Sequence, residues 1–446
     1  MATYKDSDKA GSRPGTPQLN GRRTFLKAAL GMAGASALGS SLIPGLGRQA
    51  FASSGLETRS AKLGFIALTD AAPLFVAEEK GFFARHGMTD VQIEKQSSWG
   101  TTRDNLVLGS ARNGIDGAHI LTPMPYLLSA GVMTPNNQPV PMAILARLNL
   151  GGQCISIGQE YADLKVGLDV TEFKQALAAK QARGDSIRAA MTFPGGTHDM
   201  WMRYWLAAGG IDPESDVSTI VVPPAQMVAN MRVGSMDTFC VCEPWNEQLI
   251  RQGIGYTALI TGEIWERHPE KSFAMRQDYV DQHPNASKAL LKAIMEAQIY
   301  CEQPENVEEV ATICARRRWI NARYDNIIER MKGNFDYGTG RVVNNSPHRM
   351  KYWNDQASYP YQSHDLWFLT ENIRWGYLPS QTDIQLLVKQ VNREDIWRQA
   401  AHELGVSSEH IPAGTSRGIE TFFDGKVFDP DNPLAYLDSL AIKHLS

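Results

Sequence analysis

The stretch Met191-Thr-Phe-Pro-Gly-Gly-Thr-His-Asp-Met-Trp-Met-Arg-Tyr-Trp-Leu-Ala-Ala-Gly-Gly210 decides how this chain is read. It runs as a strand end, a glycine turn at Pro194-Gly195-Gly196, and a helix opening near Thr197. Trp201, Trp205 and Ala208 recur at helical spacing, and Gly209-Gly210 supplies a left-handed stop. Two glycines before a helix let backbone approach a ligand closely, while the first unpaired N–H groups point outward with the positive end of the dipole. His198 falls in that first turn, one residue past a hydroxyl cap at Thr197. An anion can be held at such a place, although a plain capped helix start has the same composition.

Around this stretch the chain alternates strands and helices. Lys62–Thr69 reads as a buried strand, Leu74–Arg85 as a helix, Val91–Lys95 as a strand, Arg103–Gly109 as a helix and Gly114–Ile120 as a third strand. This βαβαβ order predicts an α/β lobe with a mainly parallel sheet, whose ligand loops lie beyond the strand carboxyl ends. Here those loops are Thr69–Pro73, Gln96–Thr102 and Leu121–Pro125. The same grammar returns with strands at Arg188–Phe193, Val217–Val222 and Met236–Val241, and helices at Thr197–Ala208 and Ala225–Arg232. The predicted fold is therefore α/β and bilobal, two lobes joined by extended crossings at Val140–Asn149 and Cys242–Asn246. Lobe I takes residues 53–147, lobe II 148–245, and 246–446 returns to lobe I with a helical C-terminal extension. In that return, Asn285–Glu302, Pro304–Trp319, Asn321–Lys332, Leu366–Trp375 and Gln381–Leu404 read as helices, and Gly338–Tyr361 as irregular. Trp367, Trp375 and Trp397 read as core or wrapping contacts rather than site residues. Asp70, Asp116 and His119 read as strand-end hydrogen-bonding residues.

The first 52 residues read as an address. Asn20-Gly-Arg-Arg-Thr-Phe-Leu-Lys27 has the twin-arginine pattern, Ala28–Ile43 is rich in Ala, Gly and Ser, and Ala50-Phe-Ala52 offers small residues for cleavage. The stretch is too short and too weakly apolar to span a bilayer. Export to the periplasm with cleavage near Ala52 is expected. Because no cysteine precedes Cys154, no lipid anchor is expected. A net charge of −4 leaves no basic face for nucleic acid. Cys154, Cys240, Cys242, Cys301 and Cys314 show no zinc spacing. Cys240 and Cys242 lie too far apart along a strand to bridge, while Cys301 and Cys314 can either pair or stay as buried thiols.

Eight runs in order carry a resemblance. They are Trp99-Gly-Thr-Thr-Arg-Asp-Asn-Leu106, Gly117-Ala-His-Ile-Leu-Thr-Pro-Met-Pro125, Leu145-Ala-Arg-Leu-Asn149 and Gly152-Gln-Cys-Ile155, then Thr192-Phe-Pro-Gly-Gly-Thr-His198, Val222-Pro-Pro-Ala-Gln-Met-Val-Ala-Asn230, Glu243-Pro-Trp-Asn246 and His268-Pro-Glu-Lys-Ser-Phe273. Together, over about Leu63–Trp375, the chain resembles the substrate-binding proteins of ABC transporters for nitrate, which have close relatives for bicarbonate. The resemblance implies a type II periplasmic-binding-protein-like fold with the anion between the lobes. It implies ligand contacts from Trp99, Gln153, His198, Pro224, Cys242 and Lys271. Nitrate is planar, monovalent and acceptor-only, so such a site needs donors and one compensating charge. In this scheme Lys271 brings the charge, His198 and Gln153 bring N–H donors, and Trp99 brings an indole donor or a flat wall. Backbone N–H groups at Gly196–His198 and Cys242 add to these. Bicarbonate relatives carry an acid near the lysine position and Gln at the histidine position. His198 and Lys271 favour nitrate, while Glu270 is the neighbouring acid. Cys242 stands where a glycine is expected.

The implied function is capture of nitrate or nitrite for an ABC permease in the inner membrane, without enzyme activity, cofactor or metal. The alternatives are a bicarbonate receptor of the same family and a nitrate sensor acting on a regulatory partner. An enzyme is disfavoured because the sequence has no nucleophile–base pairing, phosphate loop, dinucleotide motif or metal cluster. If His198 binds in its charged form, affinity strengthens as pH falls through the histidine range; a neutral donor gives a flat profile.

Overall fold

Ten strands carry the apolar runs of the chain into two five-stranded sheets. In chain order they are β1 (Ser60–Phe65), β2 (Asp90–Lys95), β3 (Gly117–Leu121), β4 (Met142–Arg147), β5 (Gln153–Gly158), β6 (Arg188–Met191), β7 (Ser218–Val221), β8 (Thr238–Cys242), β9 (Gly255–Ile260) and β10 (Lys271–Arg276). The structure is a computed structural model that describes residues 55–446. The predicted twin-arginine signal and the cleavage position at Ala52 lie outside the described residues.

The first sheet has the order β2-β1-β3-β10-β4 and the second β7-β6-β8-β5-β9. In each, the first-entered parallel strand (β1 or β6) pairs in parallel with two neighbours. One strand arriving from the other half then inserts antiparallel between the third and fourth, β10 in the first sheet and β5 in the second. The two sheets thus share one topology. Strands β3, β4, β5, β8 and β9 are buried along their whole length, which is why they read as unbroken apolar runs. The edge strands β2 and β7 contain only exposed and half-buried residues instead.

Sheet membership corrects one expected crossing. Strand β9 still pairs with β5 in the second sheet, so the return to the first sheet runs through residues 261–270 and not through Cys242–Asn246. The helix Trp245–Arg251 stops at Gly253, whose φ of +62° is left-handed, and the run Gly255–Ile260 that follows forms β9. The outward crossing lies between β4 and β5, within or just after the expected Val140–Asn149.

The helix Thr197–Ala208 forms over the predicted span. Gly195 adopts φ +71°, the left-handed conformation that the turn needs, and its N–H is capped by Asp199 Oδ2 at 2.8 Å. Thr197 does not cap; the N-cap is Gly196, and no side-chain oxygen accepts there. Three of the other predicted helices shorten or divide, while the predicted Leu366–Trp375 lengthens to Gln362–Arg374. Pro304–Trp319 is helical in Val307–Ala315, and Asn321–Lys332 only in Ile328–Lys332 apart from single 3₁₀ turns. Gln381–Leu404 divides into Ile384–Val391 and Glu394–Leu404. Asn392 makes that division by leaving helical geometry and spending its amide on Pro360 O and Asp365 Oδ2, both at 2.8 Å.

The helix Gln362–Arg374 touches both halves. Its Asp365 pairs with Arg147 at the end of β4, and its Asn372 Nδ2 donates to Gly195 O at 3.2 Å. Its Trp367 stacks on Trp201 with ring centroids 5.2 Å apart. Trp367, Trp375 and Trp397 are all buried packing residues. All five cysteines are buried and free. Among the described residues no helix is long and apolar enough to cross a membrane.

Candidate functional site

The shared topology sets both incoming strands so that they begin where their parallel neighbours end. Lys271, the first residue of β10, pairs with Leu121 at the end of β3. Gln153, the first residue of β5, pairs with Cys242 at the end of β8. The remaining site residues come from the loops that follow parallel strands. Asp70 lies in the turn Thr69–Ala71 after β1, Trp99 opens the helix Trp99–Leu108 after β2, and His198 follows β6. Ligands in open α/β sheets bind beyond strand carboxyl ends, and seven loop or strand ends converge there. Thr69 N donates to Glu243 O at 3.0 Å, so the two halves meet at this point.

Four of the six predicted residues come together in one buried polar cluster. Lys271 Nζ lies 2.8 Å from Asp70 Oδ2, 2.8 Å from Glu270 Oε1 and 3.4 Å from His198 Nε2. Gln153 Nε2 donates to Asp70 Oδ2 at 3.3 Å. The Trp99 ring centroid lies 5.9 Å from Lys271 Nζ. None of these side chains is exposed. Cys242 borders the cluster, with its Sγ 3.6 Å from Thr69 Oγ1. Pro224 is buried at the start of the turn Pro224–Gln226 and takes no part in the hydrogen bonds of the cluster.

Asp70, His119 and Glu270 also belong to the cluster. His119 Nε2 and Asp70 Oδ1 are 2.7 Å apart, and Trp99 and His119 rings pack at 5.4 Å. Glu270 accepts from Trp201 Nε1 at 2.7 Å and from the Thr197 hydroxyl. The expectation for Asp70 and His119 as hydrogen-bonding residues at strand ends describes their bonds but not their place beside Lys271. The available signal was position, since Asp70 falls in a loop already marked as ligand-facing. Asp116 is a strand-end residue as expected, accepting from Lys62 N at 2.9 Å.

Burial and charge set the protonation states. Burial opposes the Lys271 ammonium, but Asp70 and Glu270 outweigh it and raise its pKa. Burial also opposes the Asp70 carboxylate, which Lys271 and His119 nevertheless hold below the usual range. Burial pushes the Glu270 carboxyl up, with Lys271 working against the rise. Burial and then the Lys271 charge hold the His198 imidazole well below its ordinary value, so it is neutral near pH 7. Its Nδ1 lies 2.6 Å from Thr192 Oγ1, which fixes the ring with Nε2 facing the lysine. Trp99 Nε1 and Gln153 Oε1, both buried, have no hydrogen-bond partner among the described residues. The cluster therefore sets an ammonium beside an imidazole, with the ring of Trp99 next to them and its indole N–H unpartnered, an arrangement suited to binding a small polar anion.

Residues 54–315 match the sequence profile of the NMT1-like family. The chain belongs to the NMT1-like family. Within it, the chain is 60% identical over 390 residues to the nitrate/nitrite binding protein NrtA of Synechocystis sp., covering 87% of this chain and 86% of the relative. The bicarbonate-binding protein CmpA of Synechococcus elongatus is 43% identical over 399 residues, covering 87% of this chain and 88% of that one. The crystal structure of the periplasmic nitrate-binding protein NrtA from Synechocystis superposes with a TM-score of 0.85 at 60% identity, covering 87% of this chain and 100% of the other. The two sheets of this NMT1-like chain are thus the halves of an α/β periplasmic-binding-protein fold.

Proposed function

We propose that this chain is an exported solute-binding protein that captures nitrate, or nitrite, between its two sheets and delivers it to an ABC-type permease in the inner membrane. The observation that carries this reading is the buried cluster in which Lys271 Nζ lies 3.4 Å from His198 Nε2 beside the ring of Trp99, whose Nε1 has no partner among the described residues. In this reading Lys271 supplies positive charge and N–H donors, His198 donates from Nε2, and Gln153 and Trp99 orient the planar ligand. Cys242 and Pro224 complete the wall. The closer likeness to a nitrate/nitrite-binding relative than to a bicarbonate-binding one supports the choice of ligand. The lobes are read as one half built on β1–β4 and β10 and a second built on β5–β9. Export by the twin-arginine route with cleavage near Ala52, and a periplasmic location without a lipid anchor, complete the proposal.

Calorimetric titration of the mature protein with nitrate, nitrite and bicarbonate tests it. One nitrate or nitrite per chain, bound more tightly than bicarbonate, is the expected result. Preference for bicarbonate would turn the reading to the alternative receptor, in which Glu270 accepts the ligand's hydroxyl. No binding of any of the three would remove both.

A further inference from the structure

The charges of the cluster do not balance. Asp70 and Glu270 bring two negative charges and Lys271 one positive charge, all on side chains with no exposure. The groups that face the His198–Glu270 pair from other elements add no cation. Burial holds the His119 imidazole low despite Asp70 beside it. His268, whose Nδ1 lies 3.8 Å from Glu270 Oε2, is held by burial at about 3. Burial also keeps the Cys240 thiol protonated. The helix Thr197–Ala208 turns its first residues toward Glu270, and its N-terminus offsets about half a charge. A monovalent anion added to this set raises the negative excess in a region that water does not screen.

We propose that the His198–Glu270 pair takes up about one proton from solvent with each anion bound, so that nitrate enters together with a proton. The proposal rests on the reading of this cluster as a nitrate site. His198 Nε2 lies 3.6 Å from Glu270 Oε1, close enough for the two groups to titrate as a unit. The Thr192 hydroxyl beside His198 Nδ1 both donates and accepts, so it satisfies the ring in its neutral and its protonated form alike. An added proton at this pair serves two partners: as imidazolium N–H it faces the incoming anion, and as carboxylic acid it cancels the charge of Glu270. Burial, which raises the Glu270 carboxyl, acts in the same direction. The Glu270 side chain is held in place by Trp201 Nε1 and the Thr197 hydroxyl, so it stays beside His198 and does not swing to solvent.

Titration calorimetry of nitrate into the mature protein at pH 7, in phosphate and in Tris, tests the proposal, because the buffers release protons with different heats and nitrate itself does not titrate there. The expected slope of binding enthalpy against buffer ionisation enthalpy is about one proton taken up per nitrate, with affinity strengthening by up to about tenfold per pH unit between pH 8 and 6. Nitrate binding with the same enthalpy in both buffers would overturn the inference and leave the nitrate reading standing. Failure to bind nitrate at all would remove both. In Glu270→Gln the uptake is expected to fall to half or less, and undiminished uptake there would overturn the shared titration by showing that Glu270 takes no part in it. The wild-type buffer series decides the matter even if that variant does not fold.

Discussion

Asp70 and Lys271 form an ion pair of 2.8 Å in which neither side chain is exposed. Asp70 comes from the turn after the first strand and Lys271 from the start of the last, so the pair closes the first sheet around the cluster. Lys271 is shared with Glu270, and it is the only side-chain cation in direct contact with that cluster among the described residues.

Lys271→Ala leaves two buried carboxylates facing the proposed ligand. Nitrate affinity is expected to fall by roughly 2–5 kcal/mol, the range for buried charge pairs that lose one partner. Titration calorimetry on variant protein with native circular dichroism checks this. An affinity within about threefold of wild type, less than 1 kcal/mol, would take this lysine out of the site.

The double variant His198→Gln with Lys271→Glu exchanges a cation for the acceptor that a ligand hydroxyl needs. It is expected to weaken nitrate and admit bicarbonate, because bicarbonate donates where nitrate cannot. Competition titration with both anions gives the answer. Unchanged nitrate binding would show that selectivity lies elsewhere.

Two further buried histidines, His268 beside Glu270 and His364 beside Glu420, tie stability to pH. Burial holds His268 and His364 at about 3, whereas the unfolded chain protonates histidine near 6.5. The folded state therefore refuses protons that the unfolded state binds. This stability is intact above pH 6.5 and is lost progressively as pH falls toward 3. Each site is expected to cost roughly 1 kcal/mol between pH 7 and 5.5. Urea titrations at the two pH values measure it, and His364→Phe is expected to flatten the profile.

Replacement of both arginines, Arg22→Lys with Arg23→Lys, is expected to hold full-length precursor in the cytoplasm. Fractionation with immunodetection reads the outcome. Mature protein in the periplasm at the normal level would rule out the twin-arginine route.

Much of the fold is written in local sequence. The glycine turn at Gly195-Gly196, the helix Thr197–Ala208 and the alternation of apolar runs with helical spacing are short-range features. Steric limits on φ and the periods of helix and strand act over a few residues, and the sequence shows them directly. The eight ordered runs likewise point to nitrate-binding proteins, and the chain is 60% identical over 390 residues to one of them. Local sequence marks His198, the family resemblance marks Lys271, Trp99 and Gln153, and these four meet.

Tertiary structure decided the rest. That β9 stays in the second sheet depends on its hydrogen bonds to β5, whose residues lie far away in sequence. Sequence places Glu270 next to Lys271, and only the tertiary structure brings Asp70, far earlier in the chain, to the same Nζ. The protonation states of His198 and Glu270 follow from burial and from charges on other elements. Sequence by itself determines which groups can ionise. Their distances and their removal from water determine whether they do, and both are properties of the folded chain, because electrostatic energy depends on separation and dielectric.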